Sequence, residues 1–290
     1  MRYLEQHPMI MIIFGIMGIS LSAIFVRYSD APSAVTASYR LLWTVFLMSP
    51  MVWGAKKRRR ELRGINRKAL VLCGCSGIFL ALHFFTWFES LKYTTVASST
   101  TIVCTEAIWV ALGYCLFLKG RLAAKEVAAI AVTLGGSLLV AYSDSGMGGG
   151  HLYGDVLALS AAGFVAGYTL IGQVVRTTLS TTAYTYIVYL FSAAALVVLT
   201  AVQGYSLAGY GGNTVMVGLL LAVFSTILGH SIFSWCLKFL SPAFVSASKL
   251  CEPVVAAVFA AMLFGERPAV LQVAGGAVII GGVIFYSRQQ

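Results

Sequence analysis

The chain has 290 residues, 59% of them apolar and only 10% charged, with a mean hydropathy of +0.87. That balance excludes a water-soluble domain and defines an all-α integral membrane protein. The net charge of +10 does not signal nucleic acid, because the basic residues crowd into short connections and no aromatic-basic surface pattern accompanies them.

Apolar runs long enough to cross about 30 Å of hydrocarbon fall at about residues 8–27, 33–54, 68–90, 94–118 and 124–142. A second set follows at about 152–173, 182–202, 213–237, 242–263 and 268–286. Ten transmembrane helices are therefore expected. The first run is too long for a signal peptide and is kept as a span. Between runs stand Asp30-Ala-Pro32, the polar tract 56–68, the glycine-rich stretch 143–150, residues 209–213 and Gly265-Glu-Arg-Pro268, each read as a turn or connection. Small residues at Gly163 and Gly167, and the pairs Gly135-Gly136 and Gly281-Gly282, predict places where helices approach closely. The six cysteines all lie inside predicted spans, where cysteine behaves as a small apolar residue, so neither a disulfide framework nor a metal site is expected.

Eight basic residues, Lys56 to Arg60, Arg63, Arg67 and Lys68, mark the connection after the second span as cytoplasmic. With ten spans both termini are then cytoplasmic. Fifteen basic residues collect in the inside connections, against Arg27, Lys92 and Arg267 outside.

Sliding the chain against itself until Leu91 meets Leu237 lays Leu91–Ala107 over Leu237–Pro253. Thirteen of the 54 pairs formed by residues 91–144 and 237–290 are identical, including Lys92 with Lys238, Glu106 with Glu252 and Arg121 with Arg267. This is an internal repeat. Five spans per copy is an odd number, so the fourth and ninth spans run in opposite directions and the halves, 1–145 and 146–290, are inverted copies. Inverted repeats place a binding site near the membrane midplane, between halves that rock around it.

Four charges lie deep in apolar spans: Arg40, Glu106, Lys249 and Glu252. At roughly 2.5–3.5 kcal/mol each at a helix centre, they must face inward and find partners or water. Lys249 and Glu252 are three apart on one helical face. One reading is that Lys249 neutralises Glu252 and the pair locks helices together. The other is that Lys249 or Arg40 holds a substrate carboxylate while a glutamate binds a cation or shuttles a proton. Polar stripes through Thr95, Ser99, Ile102 and Glu106, and through Ser241, Ser248 and Glu252, point each acid inward. His83 and His230 need polar company in a membrane core. Tyr39, Trp87, Tyr168, Tyr189 and Trp235 complete the candidate substrate-binding set.

The stretches ASYRLLW around Arg40, SLKYTTVASST before the fourth span and KLCEPVVAAVFAAMLFGERP in the ninth resemble the EamA-type families of the drug/metabolite transporter superfamily. The resemblance spans the chain. It implies a secondary transporter working by alternating access, commonly exporting amino acids, related metabolites or drugs across a bacterial inner membrane. Its glutamate-proline motif falls on Glu252 and Pro253, and in the first half on Glu106, where Ala107 replaces the proline.

The expected function is export of an amino acid or related small metabolite, with proton coupling as one option, no cofactor, and a monomer or homodimer in the bilayer. Export of lipophilic or quaternary cations is the alternative. A membrane-embedded enzyme is the remote one, since no nucleophile elbow, acidic metal cluster or phosphate-binding loop is present.

Overall fold

The computed structural model describes residues 7–94, 96–144, 152–264 and 269–289. Every regular element among them is helical. In chain order they are α1 (Pro8–Arg27, with a hitch at Leu21), α2 (Ser33–Trp53), α3 (Lys56–Arg63), α4 (Arg67–Ser90), α5 (Val96–Cys104) and α6 (Glu106–Phe117). Then come α7 (Ala124–Asp144), α8 (Leu152–Val175), α9 (Thr181–Val202), α10 (Gly211–Cys236), α11 (Pro242–Ser248), α12 (Glu252–Phe264) and α13 (Val270–Ser287). Helix starts carry their own chemistry. Asn66 accepts the Ala69 N–H at 2.7 Å, Ser180 accepts that of Ala183 at 3.2 Å, and Ser241 accepts that of Phe244 at 3.3 Å, each removing an orphan donor.

Seven described stretches are long and apolar enough to cross a membrane: Pro8–Arg27, Arg67–Ser90, Ser99–Phe117, Leu152–Val175, Thr181–Val202, Gly211–Cys236 and Pro242–Phe259. Val273–Ser287 is a shorter apolar helix. α2 is not among the seven because its inward stripe carries Ser33, Thr36, Ser38, Arg40 and Thr44, all buried. Outward faces present Phe14, Phe46, Val71, Leu116, Val132 and Leu138, as a lipid-facing surface does.

Three elements differ from the sequence reading. The polar tract 56–68 contains a helix, α3, because lysine, arginine, glutamate and leucine are strong helix formers; Gly64 ends it. The fourth and ninth spans are each two helices. In the fourth, the Thr105 hydroxyl donates to the Ile102 carbonyl at 2.6 Å and the chain tightens between α5 and α6. In the ninth, Pro253 has no N–H to give the Lys249 carbonyl. The Glu252 N–H takes that carbonyl instead, and residues Lys249–Cys251 form a 3₁₀ turn between α11 and α12. The motif's missing proline at Ala107 thus does not spare the fourth span its break. In α10, residues Leu221–His230 are π-helical, with the hydroxyls of Thr226 and Ser231 donating five residues back, to the carbonyls of Leu221 and Thr226.

In the register of the internal repeat, α4 falls on 213–236 within α10, α5 on 242–250, α6 on 252–263 within α12, and α7 begins at 270, the first residue of α13. The packing follows the same exchange. α4 packs on α8, and its counterpart α10 packs on α1; α5 and α6 pack on α8, α11 and α12 on α1. α2 pairs with α9 and α7 with α13.

Close approaches use glycine where the backbone of a neighbour leaves no room. A Cβ on Gly18 in α1 would sit 2.6 Å from the Phe224 carbonyl oxygen of α10, and one on Gly218 2.6 Å from Tyr39 Cβ. Of the predicted small-residue contacts, Gly167, Gly136 and Gly282 are tight, against Phe79, Ile279 and Thr133. Gly163, Gly135 and Gly281 meet nothing within 4 Å; in the adjacent pairs 135–136 and 281–282 the helix turns about 100° between members, so one glycine faces the partner and the other faces away. Two apolar clusters form the interior, one centred on α2, α4, α8 and α9 and one on α1, α6, α11 and α13. Residues of both, Trp87 and Val165 from the first and Ile19 from the second, line the cavity that Arg40, Glu106, Lys249 and Glu252 share.

Candidate functional site

A cavity with about 440 Å³ of space between atoms, its open side included, is lined by Ile19, Ser22, Arg40, His83, Trp87, Thr100, Val103, Glu106, Val165, His230, Lys249 and Glu252. Three pairs in that wall are counterparts in the repeat: Ile19 with Val165, Val103 with Lys249, and Glu106 with Glu252.

Glu106 and Glu252 are each the first residue of a half-helix, α6 and α12. The positive end of the helix dipole favours a carboxylate there by about 0.3–1 kcal/mol. Lys249 Nζ donates to Glu106 Oε1 at 2.7 Å, with both side chains more than 90% buried. This corrects the pairing of Lys249 with Glu252. The ammonium crosses to the other half of the chain, where α6 packs against α11. Among the described residues the ion pairs are Lys249–Glu106 and the exposed Lys92–Glu89. Glu252 is half-buried and has no ion-pair partner among them.

Arg40 is 1% exposed. Its Nε donates to Thr226 Oγ1 at 2.7 Å and its Nη1 to Ser22 Oγ at 3.1 Å, and its guanidinium carbon lies 3.9 Å from the Phe84 ring centroid. The π-helical stretch is what carries Thr226 to that position. His83 Nδ1 donates to the Ala161 carbonyl at 3.0 Å, which leaves the lone pair on Nε2. Its ring stacks on Trp87 at 6.1 Å and meets the His230 ring at 6.2 Å.

The wall holds several buried polar atoms without a hydrogen-bond partner: Arg40 Nη2, Trp87 Nε1, Thr100 Oγ1 and His230 Nδ1. Each such atom costs about 1–3 kcal/mol. All four belong to residues that line this one cavity. Two positive and two negative side chains line the space, so its formal charge is zero.

Of the twelve candidates, Arg40, His83, Trp87, Glu106, His230, Lys249 and Glu252 meet at the cavity. Tyr168 and Tyr189 stand behind it. Tyr168 bonds Ser234 at 2.7 Å with its ring 6.0 Å from His230, and Tyr189 bonds Ser231 at 3.0 Å. Three lie elsewhere. Tyr39 donates to the Leu207 carbonyl at 2.6 Å, Trp235 packs on Phe239 with ring centroids 4.6 Å apart, and Ser248 returns its hydroxyl to the Val245 carbonyl. The predicted stripes shift as well. Ser99 bonds Ser90 and Ser241 caps α11, while the cavity is met by Thr100, Val103 and Glu106. Thr95 lies outside the described residues. Sequence reasoning missed Ser22, Thr100 and Thr226; single hydroxyls in apolar helices carry no pattern, and only the position of Arg40 selects them.

Crossing helices with lipid-facing exteriors and a charged interior cavity define a multi-pass membrane protein of the solute-carrying kind. The family model described as the EamA-like transporter family matches residues 7–142 and again residues 152–288. The chain belongs to that family. An uncharacterized transporter of Archaeoglobus fulgidus is 23% identical over 258 residues, covering 88% of this chain and 87% of that protein. One from Bacillus subtilis is 24% identical over 276 residues, covering 94% and 85%. A solved crystal structure aligns over 98% of this chain and 97% of its own with a TM-score of 0.77 at 16% identity, which shows the fold.

Proposed function

We propose that this transporter is a secondary carrier of small zwitterionic metabolites, amino acids first among them, exporting them across the inner membrane by alternating access. In this reading residues 1–145 and 146–290 are inverted five-span halves of a ten-span bundle, and both termini are cytoplasmic. The coincidence of helix bounds in the repeat register, and the exchange of packing partners between counterparts, support that architecture.

The observation that carries the substrate class is the pair of unmatched charges in one neutral cavity. Arg40 has a free N–H on Nη2, and Glu252 is a carboxylate with no ion pair among the described residues. A zwitterion supplies a carboxylate to Arg40 and Trp87 and an ammonium to Glu252, and leaves the cavity's charge balanced. A quaternary cation answers Glu252 and the aromatic wall but leaves Arg40 Nη2 unsatisfied. No ATP-binding loop stands in the sequence, so the energy comes from a solute or ion gradient, with Glu252 the acid placed to take a proton.

Proteoliposome flux tests this. Labelled amino acids and tetraethylammonium are supplied with and without a pH gradient, to the wild type and Glu252→Gln. Amino acid flux that falls by tenfold or more in the variant, about 1.4 kcal/mol of lost interaction, is expected. Tetraethylammonium flux alone would replace this reading with cation export.

A further inference from the structure

Resting on the reading of the cavity as a substrate site, one asymmetry in it goes further. Glu106 and Glu252 are counterparts at the starts of α6 and α12, yet they are not equivalently served. The position three residues before Glu252 is Lys249, and the position three residues before Glu106 is Val103; all four line the cavity. Lys249 does not serve the acid of its own half. Its ammonium reaches Glu106 at 2.7 Å, with Phe233 closing over it at 5.3 Å from ring centroid to Nζ.

We infer that Lys249 is a tethered cation: it holds permanently the position that an exchangeable cation would occupy at Glu106, and so leaves Glu252 as the single acid open to an exchangeable cation. A buried carboxylate needs a counter-charge. Two equivalent acids would each take one from solution, and each would be released in a transport cycle. An ammonium fixed to the backbone by four methylenes neutralises its acid in the same way but cannot leave. The carrier therefore exchanges one cation per cycle where an untethered pair of acids would exchange two. Arg40 does not substitute for Lys249, because Thr226, Ser22 and Phe84 hold its guanidinium.

The test uses the full chain in detergent, with ethylammonium chloride as the probe and potassium chloride at equal ionic strength as the control. Thermal unfolding of Lys249→Ala should start lower than wild type and be restored by ethylammonium, which refills the emptied position. The Lys249→Ala/Glu106→Gln double variant, which keeps only Glu252 open, should show no more than the small rise of the wild type. Equal responses of the single and double variants, or none in the single, overturn the inference.

Should Lys249→Ala not fold, Glu252→Gln decides. The wild type is expected to gain a small ethylammonium-dependent rise through Glu252, and Glu252→Gln, in which Lys249 still occupies Glu106, should abolish it. Persistence of the rise in Glu252→Gln would mean that Glu106 also takes a cation from solution, and overturns the tethered cation. None of these readouts needs an amino acid substrate. A panel that behaves as stated without amino acid flux keeps the tethered cation and discards the zwitterion; flux with no ethylammonium pattern does the reverse.

Discussion

At the residue scale the site is built on geometry as much as on charge, and Arg40 shows it. Its planar fork reaches Thr226 and Ser22 at once and lies over Phe84, which a lysine ammonium cannot reproduce. Arg40→Lys keeps the charge and is expected to lose at least one charged hydrogen bond, about 1.5–3 kcal/mol, read as a lowered unfolding midpoint in detergent. An unchanged midpoint would mean that the fork is not used. The four deep charges were legible in the sequence because each is conspicuous in an apolar span, and all four reach the cavity. Their partners were not legible. The choice of Lys249 between Glu252, on the next turn of its own span, and Glu106, in the other half of the chain, goes with the packing of α11 on α6, which spacing along one span does not record. The hydroxyls of Ser22 and Thr226 look like dozens of others.

At the scale of elements, the helix bounds were readable because polar and turn-forming residues end each apolar run, and the interruptions were not. Thr105 breaks the fourth span without a proline, through a side-chain hydrogen bond that competes with the helix. Those breaks put the two acids on half-helix starts, and the π-helical stretch of α10 carries Thr226 to Arg40. Holding that stretch in place is a job for α1, whose Gly18 lies against the backbone of Phe224 and Gly229. Gly18→Ala should push the helices apart and cost about 1–3 kcal/mol. Gly163→Ala, at a position with open space around it, should be neutral or stabilising by up to about 1 kcal/mol from helix propensity. Equal losses in the two variants would deny the close packing of α1 on α10. The helix α3 has a similar positioning role. Glu61 accepts both the N–H and the hydroxyl of Ser180 at the start of α9, at 2.7 and 2.8 Å. Glu61→Gln retains one acceptor and should lower the unfolding midpoint by about 1 kcal/mol equivalent.

At the scale of the whole molecule the sequence exposed a repeat because its period survives in 13 of 54 positions, but the hand of that repeat rests on counting spans, and counting is a parity argument. One missed or doubled span would turn inverted halves into parallel ones. The internal contacts lean toward the odd count. Tyr39 and Asn213 tie the connection after α1 to that before α10, and Glu61 ties the connection after α2 to that before α9, as alternate crossings require. Lys92 and Lys238 make the decisive pair. They are counterparts in the repeat, and both are exposed. Inverted halves put them on opposite faces of the membrane, Lys92 outside and Lys238 in the cytoplasm. In intact cells a membrane-impermeant thiol reagent should label Lys92→Cys above the background of the six native cysteines and spare Lys238→Cys, and in inverted vesicles the order should reverse. Labelling of both from one side would make the halves parallel. It would also replace the pseudo-two-fold axis in the membrane plane by one along the membrane normal, and Glu106 and Glu252 would then start their half-helices from the same side of the bilayer rather than from opposite sides.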